Sequence, residues 1–149
     1  MLKISSKLSV RISLTLTAVF LASLVVGAVA MPWIAYSMMH MPQDTVGETL
    51  VFLLVYAILA AGGVAGVLML RLLRLVQKGQ VFTVASISSL RGVSWCCVLA
   101  GFLFALLGWY FPLSLAVGFV AVFVGLCLRV MKNVLEEATA IKSENDLTV

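Results

Sequence analysis

The sequence predicts an all-α polytopic membrane protein, a bundle of four transmembrane helices, and three observations carry that prediction. The chain is 63% hydrophobic and only 11% charged, whereas a soluble domain carries about 25% charged residues. A water-facing surface built from this composition would be coated in apolar side chains, so lipid must surround it. The apolar residues collect in four long runs, and all ten Lys and Arg fall in alternate segments between or beyond those runs. No polar stretch is long enough to fold separately, so residues 1–149 read as a single membrane domain.

Taken in order, Lys3, Lys7 and Arg11 stand four residues apart ahead of the first run, 12–31. About 20 apolar residues suffice to cross about 30 Å of hydrocarbon. A cleaved signal peptide is the competing reading, because Ala28-Val29-Ala30 resembles a cleavage site. The apolar core exceeds the roughly 7–15 residues of a signal sequence, however, and the remaining chain is equally apolar, so the run reads as a retained span. Pro32 to Glu48 reads as a loop without Lys or Arg, with Trp33 and Tyr36 as interfacial aromatics. The second span covers 49–70, and its helical pattern continues through about Val76. That places Arg71, Arg74 and Lys78 on one face, with Gly79 as a C-terminal cap.

The connection 71–92 is the most charged internal segment, holding Arg71, Arg74, Lys78 and Arg91. Thr83 reads as an N-cap, with Phe82 placed to staple onto Ile87. Val84, Ile87 and Leu90 make a short amphipathic turn that runs into the third span, 93–107. A tight uncharged turn, 108–114, carries Trp109, Tyr110, Phe111 and Pro112 ahead of the fourth span, 115–130. The last helix should continue to Lys142, so that 131–149 forms an extramembrane helix and tail. With every Lys and Arg on the N-terminal, central and C-terminal segments, the positive-inside rule puts both termini in the cytoplasm.

Each span has a stripe of small residues: Ser23 and Gly27; Ala57, Ala61, Ala65 and Gly62-x-x-x-Gly66; Cys97, Gly101, Ala105 and Gly108; Gly118, Ala121 and Gly125. Such stripes let backbones approach in lipid, where no hydrophobic force drives helices together. Four stripes predict a closed intramolecular bundle; a homodimer, with two stripes facing a second copy, is the alternative.

Chemistry is sparse. No Asp, Glu, Lys, Arg or His lies mid-span, whereas coupled transporters retain such a group despite its cost in lipid. Four-helix multidrug transporters of similar length place a carboxylate in the first span, and this chain has none. Enzyme activity is not expected, since no nucleophile–base pair, paired carboxylates or metal set is evident. Cys96, Cys97 and Cys127 lack ligand or disulfide spacing and read as reduced packing residues. Met38, Met39, His40 and Met41 have donors that suit Cu(I), but methionines capping a helix end at the lipid interface are the preferred reading, so neither metal nor cofactor is assigned. The net charge of +4 reads as topological, with no direct nucleic-acid binding expected. The central cations could also meet anionic lipid headgroups. Beyond the fourth span, Met131, Val134, Leu135, Ala138 and Ile141 form an apolar stripe flanked by Lys132, Glu136, Glu137 and Lys142. That stripe needs a cover, either the central connection or another protein.

Lys78-Gly79-Gln80-Val81-Phe82-Thr83, then Leu90-Arg91, and the ending Glu144-Asn145-Asp146-Leu147-Thr148-Val149 resemble domain-of-unknown-function family 2975, small bacterial four-helix membrane proteins. The resemblance extends over essentially the whole chain and implies the bacterial inner membrane. Members are often encoded beside a Cro-type helix-turn-helix regulator, which implies a cytoplasmic partner. The candidate interaction residues are therefore Arg71, Arg74, Lys78, Phe82, Thr83, Arg91, Glu144, Asn145, Asp146 and Leu147. The acidic ending should break the helix and fold back onto the central cations, or meet a basic surface on a partner. The expected function is regulatory docking of a cytoplasmic protein; peptide or small-molecule efflux or immunity, and a structural subunit, are the alternatives.

Overall fold

A computed structural model of the chain describes residues 6–38, 45–80 and 82–147. Four helices account for nearly all of them: α1 (Ser6–Met38), α2 (Thr45–Gln77), α3 (Val84–Leu107) and α4 (Leu113–Leu147). Each is long and apolar enough to cross a membrane. Helices dominate because lipid offers no hydrogen-bond partners, so a spanning backbone must satisfy its own N–H and C=O groups.

α1 is longer than the sequence pattern suggests, because Pro32 lies inside it and the helix runs on to Met38. The expected loop from Pro32 to Glu48 is thus largely helical, with only 39–44 between α1 and α2. Proline removes the N–H that would bond the carbonyl four residues earlier, here that of Ala28. The Tyr56 hydroxyl, from α2, donates to that carbonyl at 3.1 Å. One turn beyond the proline, Tyr36 donates to Glu48 at 2.7 Å. A neighbouring helix thus makes good what the proline removes.

The helices pack in a row. α1 touches α2, α2 touches α3, α3 touches α4, and no other pair meets among the described residues. The four-helix arrangement is as expected, but the closed packing is not, since α1 and α4 remain apart. The reason lies in where the small residues point. A Cβ on Gly66 would lie 2.6 Å from Leu21 and one on Gly62 3.4 Å from Leu24, so this stripe receives α1 side chains as knobs. A Cβ on Gly101 would lie 2.8 Å from the Gly118 carbonyl, and one on Gly118 2.8 Å from the Gly101 carbonyl. There α3 and α4 meet backbone to backbone. The Ser94 hydroxyl donates to the Gly125 carbonyl at 2.8 Å and pins the same interface. Gly27 of α1 faces no neighbour within 4 Å, so its expected role in helix contact is not realised among the described residues.

These contacts set the register of the row. Leu21 meets Gly66, Leu68 meets Gly92, and Ser94 meets Gly125. About one turn beyond that line stand Arg71, Arg91 and Arg129, so cations of three helices share one end. Trp33, Tyr36, Trp109 and Tyr110 occupy the opposite end. From Thr49 to Leu70, α2 rises about 32 Å, close to the thickness of the hydrocarbon layer.

Two stability outcomes follow. Gly118→Val should cost about 1–3 kcal/mol in reversible unfolding from mixed micelles, whereas Gly63→Ala, with nothing within 4 Å of its Cβ position, should cost nothing. Tyr56→Phe should cost about 1 kcal/mol by orphaning the Ala28 carbonyl. Adding Pro32→Ala supplies the missing N–H and should recover most of that loss; an equally unstable double variant would refute the pairing.

Candidate functional site

The charged end of the row holds the candidate site, beginning with the α2–α3 turn. Gly79 adopts φ 71°, the left-handed region that glycine enters without a Cβ penalty. The N–H of Gln80 bonds the Leu75 carbonyl and that of Gly79 the Val76 carbonyl, both at 3.0 Å. This double closure is a Schellman motif, and it satisfies the carbonyls that the end of α2 leaves open. Thr83 caps α3 as expected, with extended backbone and its hydroxyl accepting from the Ser86 N–H. Ser86, fully buried, donates to the Gln80 carbonyl at 2.9 Å and so ties the cap to the turn.

The second half of the site is the far end of α4. At 35 residues, α4 is about 52 Å long, well beyond the thickness of the hydrocarbon layer. It also outlasts the expected ending: the helix continues through Glu144, Asn145 and Asp146 to Leu147. No Gly or Pro follows Gly125 to stop it, and residues facing solvent lose little by staying helical.

α3 and α4 are held together here by charge as well as packing. Glu136 accepts from Lys132 at 2.7 Å and lies 3.5 Å from Arg91. The Lys132 hydrogen bond, with help from the charges of Lys132 and Arg91, keeps the Glu136 carboxyl below its ordinary range. The Lys142 ammonium sits 5.6 Å from the centre of the Phe82 ring. The central connection and the C-terminal segment therefore do meet. Glu136 makes the ion pair to Arg91, upstream of the acidic ending expected to provide it.

Between α3 and α4 lies a partly open cavity of about 250 Å³ lined by Arg91, Ser94, Trp95, Arg129 and Lys132. The Arg129 guanidinium lies 5.0 Å over the Trp95 ring. On the other side, Arg71, Arg74 and Lys78 line a shallower groove of about 520 Å³ with Val67, Leu70 and Leu75. The predicted cations are thus divided: Arg71, Arg74 and Lys78 face one groove, and Arg91 faces another. With Arg91 stand Trp95 and Arg129, which sequence reasoning did not single out, and Lys132, expected only as a flank of the α4 stripe. Trp95, Arg129 and Lys132 did carry a signal. Arg91 and Trp95 are four apart on one helix, as Arg129 and Lys132 are three apart on the next, but only the antiparallel register joins the pairs.

The apolar stripe of α4 is split. Leu135 and Ala138 are half-buried, while Met131, Val134 and Ile141 are exposed, Val134 to 62%. Glu144, Asn145 and Leu147 lie on the final turns and face outward. The side chain of Asp146 and residues 148–149 lie outside the described part, as do Met39, His40 and Met41 and the side chain of Met38. The copper candidate therefore has no described geometry. Among the described residues no group of three or more His, Cys, Asp or Glu comes together.

Four apolar helices, with the cations of α2, α3 and α4 at one end and Trp33, Tyr36, Trp109 and Tyr110 at the other, define a multi-pass α-helical membrane protein. The chain belongs to the family described as Protein of unknown function (DUF2975), whose model matches residues 16–149. No curated protein and no solved structure matches it.

The capped turn should be stiff. Thr83→Ala should cost about 1 kcal/mol through the lost cap, and Gly79→Ala about as much through backbone strain. Both should raise amide exchange in 84–90; unchanged protection there would show that the cap does not hold the turn.

Proposed function

We propose that this protein is a non-enzymatic regulatory protein of the bacterial inner membrane, with both termini cytoplasmic, that docks a cytoplasmic protein on the charged end of the row. The single observation that carries the reading is the form of that end. α4 continues well beyond the bilayer thickness and is braced by α3 through Arg91–Glu136 and by the α2–α3 turn through Lys142–Phe82, yet Met131, Val134 and Ile141 are left exposed. Beyond the hydrocarbon, lipid does not cover such a stripe, and a rigid helix with an apolar face is what a helix-in-groove partner recognises. The end of α2 and the capped turn present Arg71, Arg74 and Lys78 at the same end of the row, which would steer an acidic partner surface. Positive-inside sidedness supports the orientation. The resemblance that pairs such proteins with Cro-type helix-turn-helix regulators supports the choice of partner.

Efflux or immunity and a purely structural role remain the competing functions, and neither has a specific feature of the site in its favour. Tagged protein purified in mild detergent should retain a helix-turn-helix regulator. Val134→Asp with Ile141→Asp should reduce that retention about tenfold or more, since each change places a charge in a desolvated contact. Removal of 144–149 should weaken retention and alter the transcripts that the regulator controls. Absence of the regulator from wild-type preparations, with transcripts unmoved, would sink the reading; retention of a second copy of the chain alone would assign the stripe to a homodimer instead.

A further inference from the structure

We infer that the cavity between α3 and α4 is a binding site for a phosphate-bearing anion, the headgroup of an anionic phospholipid being the source that its position favours. Its walls are built for such a group. Arg91, Arg129 and Lys132 converge from two helices on one space of about 250 Å³. That is smaller than the roughly 300–1,000 Å³ of sites that enclose drug-sized molecules, and suits a headgroup. Arg presents a planar fork that matches phosphate oxygens, while Lys supplies a compact point charge. The single carboxylate at this cluster, Glu136, is shared by Lys132 and Arg91. No carboxylate pairs with Arg129 among the described residues, and its guanidinium is held instead over Trp95. Three cations against one carboxylate leave a positive excess, which favours a net anionic headgroup over a zwitterionic one.

Position argues for lipid as the source. Arg129 is the first charge after the apolar run of α4, and Arg91 is the last before that of α3. The cavity therefore sits where hydrocarbon gives way to headgroups, and Trp95 is an aromatic of the kind found at that depth. Basic pockets between spanning helices are a recognised form of headgroup site. Ser94 lines the wall but spends its proton on the Gly125 carbonyl, so it would fix the helices rather than donate to the ligand. This assignment does not require the docking proposal: the two share Arg91 and its partner Glu136, but docking turns on the exposed α4 stripe and the cavity on Arg129 and Lys132.

The test uses the full-length chain in nanodiscs of phosphatidylcholine with increasing phosphatidylglycerol at fixed ionic strength. Native mass spectrometry counts retained lipid, and emission of a Trp33→Phe/Trp109→Phe background follows Trp95. Retention of phosphatidylglycerol is expected, with a saturable Trp95 change. Arg129→Gln/Lys132→Gln should raise the half-saturating lipid fraction about tenfold or more. Arg74→Gln/Lys78→Gln, which removes the same charge from the other groove, should leave it unchanged. Circular dichroism confirms that both variants keep their helices. Inorganic phosphate in pure phosphatidylcholine discs separates the sources: if it reproduces the Trp95 change, the pocket stands and its ligand is a soluble phosphate. Equal loss in both double variants would overturn the inference, as would indifference to both phosphatidylglycerol and phosphate.

Discussion

The whole structure depends on one constraint: in hydrocarbon, a backbone group that bonds nothing costs several kcal/mol, roughly what a small domain can spare. Helices meet that constraint along their length and fail it at prolines and ends. The chain answers at each such place. Tyr56 serves the carbonyl that Pro32 leaves open, and hydroxyls such as Thr17 and Ser23 bond back to their own helix. The ends of α2 and α3 meet at a turn closed by backbone bonds and the Thr83–Ser86–Gln80 network. Among the described residues no buried side-chain N or O lacks a partner.

Once the backbone is satisfied, close approach decides which helices associate. Glycine matters most where backbone meets backbone, at Gly101 and Gly118, and next where it receives a leucine, at Gly62 and Gly66. Because α2 and α3 each use two faces while α1 and α4 use one, the helices form a row with two open edges. The edge formed by α4 is the one that the proposed docking uses, because its exposed apolar face runs from the span into the extension. The α3–α4 contact is also what draws Arg91, Arg129 and Lys132 around one cavity. Dispersion packing at the glycines and convergence of charge at the cavity are two consequences of the same register.

Much of this was legible in the residues themselves. Gly79 and Thr83 announced their caps, because left-handed backbone favours glycine and a free N–H favours a threonine hydroxyl. The Pro32–Glu48 loop was misjudged because proline ends helices in water, whereas in lipid a neighbour such as Tyr56 rescues the orphaned carbonyl. The acidic ending was expected to break α4 by the same local reasoning. At the site, Arg91 was visible as a cation of the central connection. Trp95 and Arg129 were not, and Lys132 was visible only as a flank of the α4 stripe, since each has a bland reading as an interfacial residue on its own helix.

By itself, the sequence determined class, helix number, and the segregation of cations to alternate segments, because burial in lipid is a property of composition and run length. Membership of the family was equally readable from short motifs around Lys78–Thr83 and Glu144–Val149. Only the tertiary structure decided that the helices stand in a row, that Glu136 is the partner of Arg91, and that three cations close on one cavity. Those are matters of register between helices distant in the chain. Local pattern leaves register open, and here contacts at glycines set it, Gly101 and Gly118 fixing α3 against α4 by admitting a neighbouring backbone at one height only.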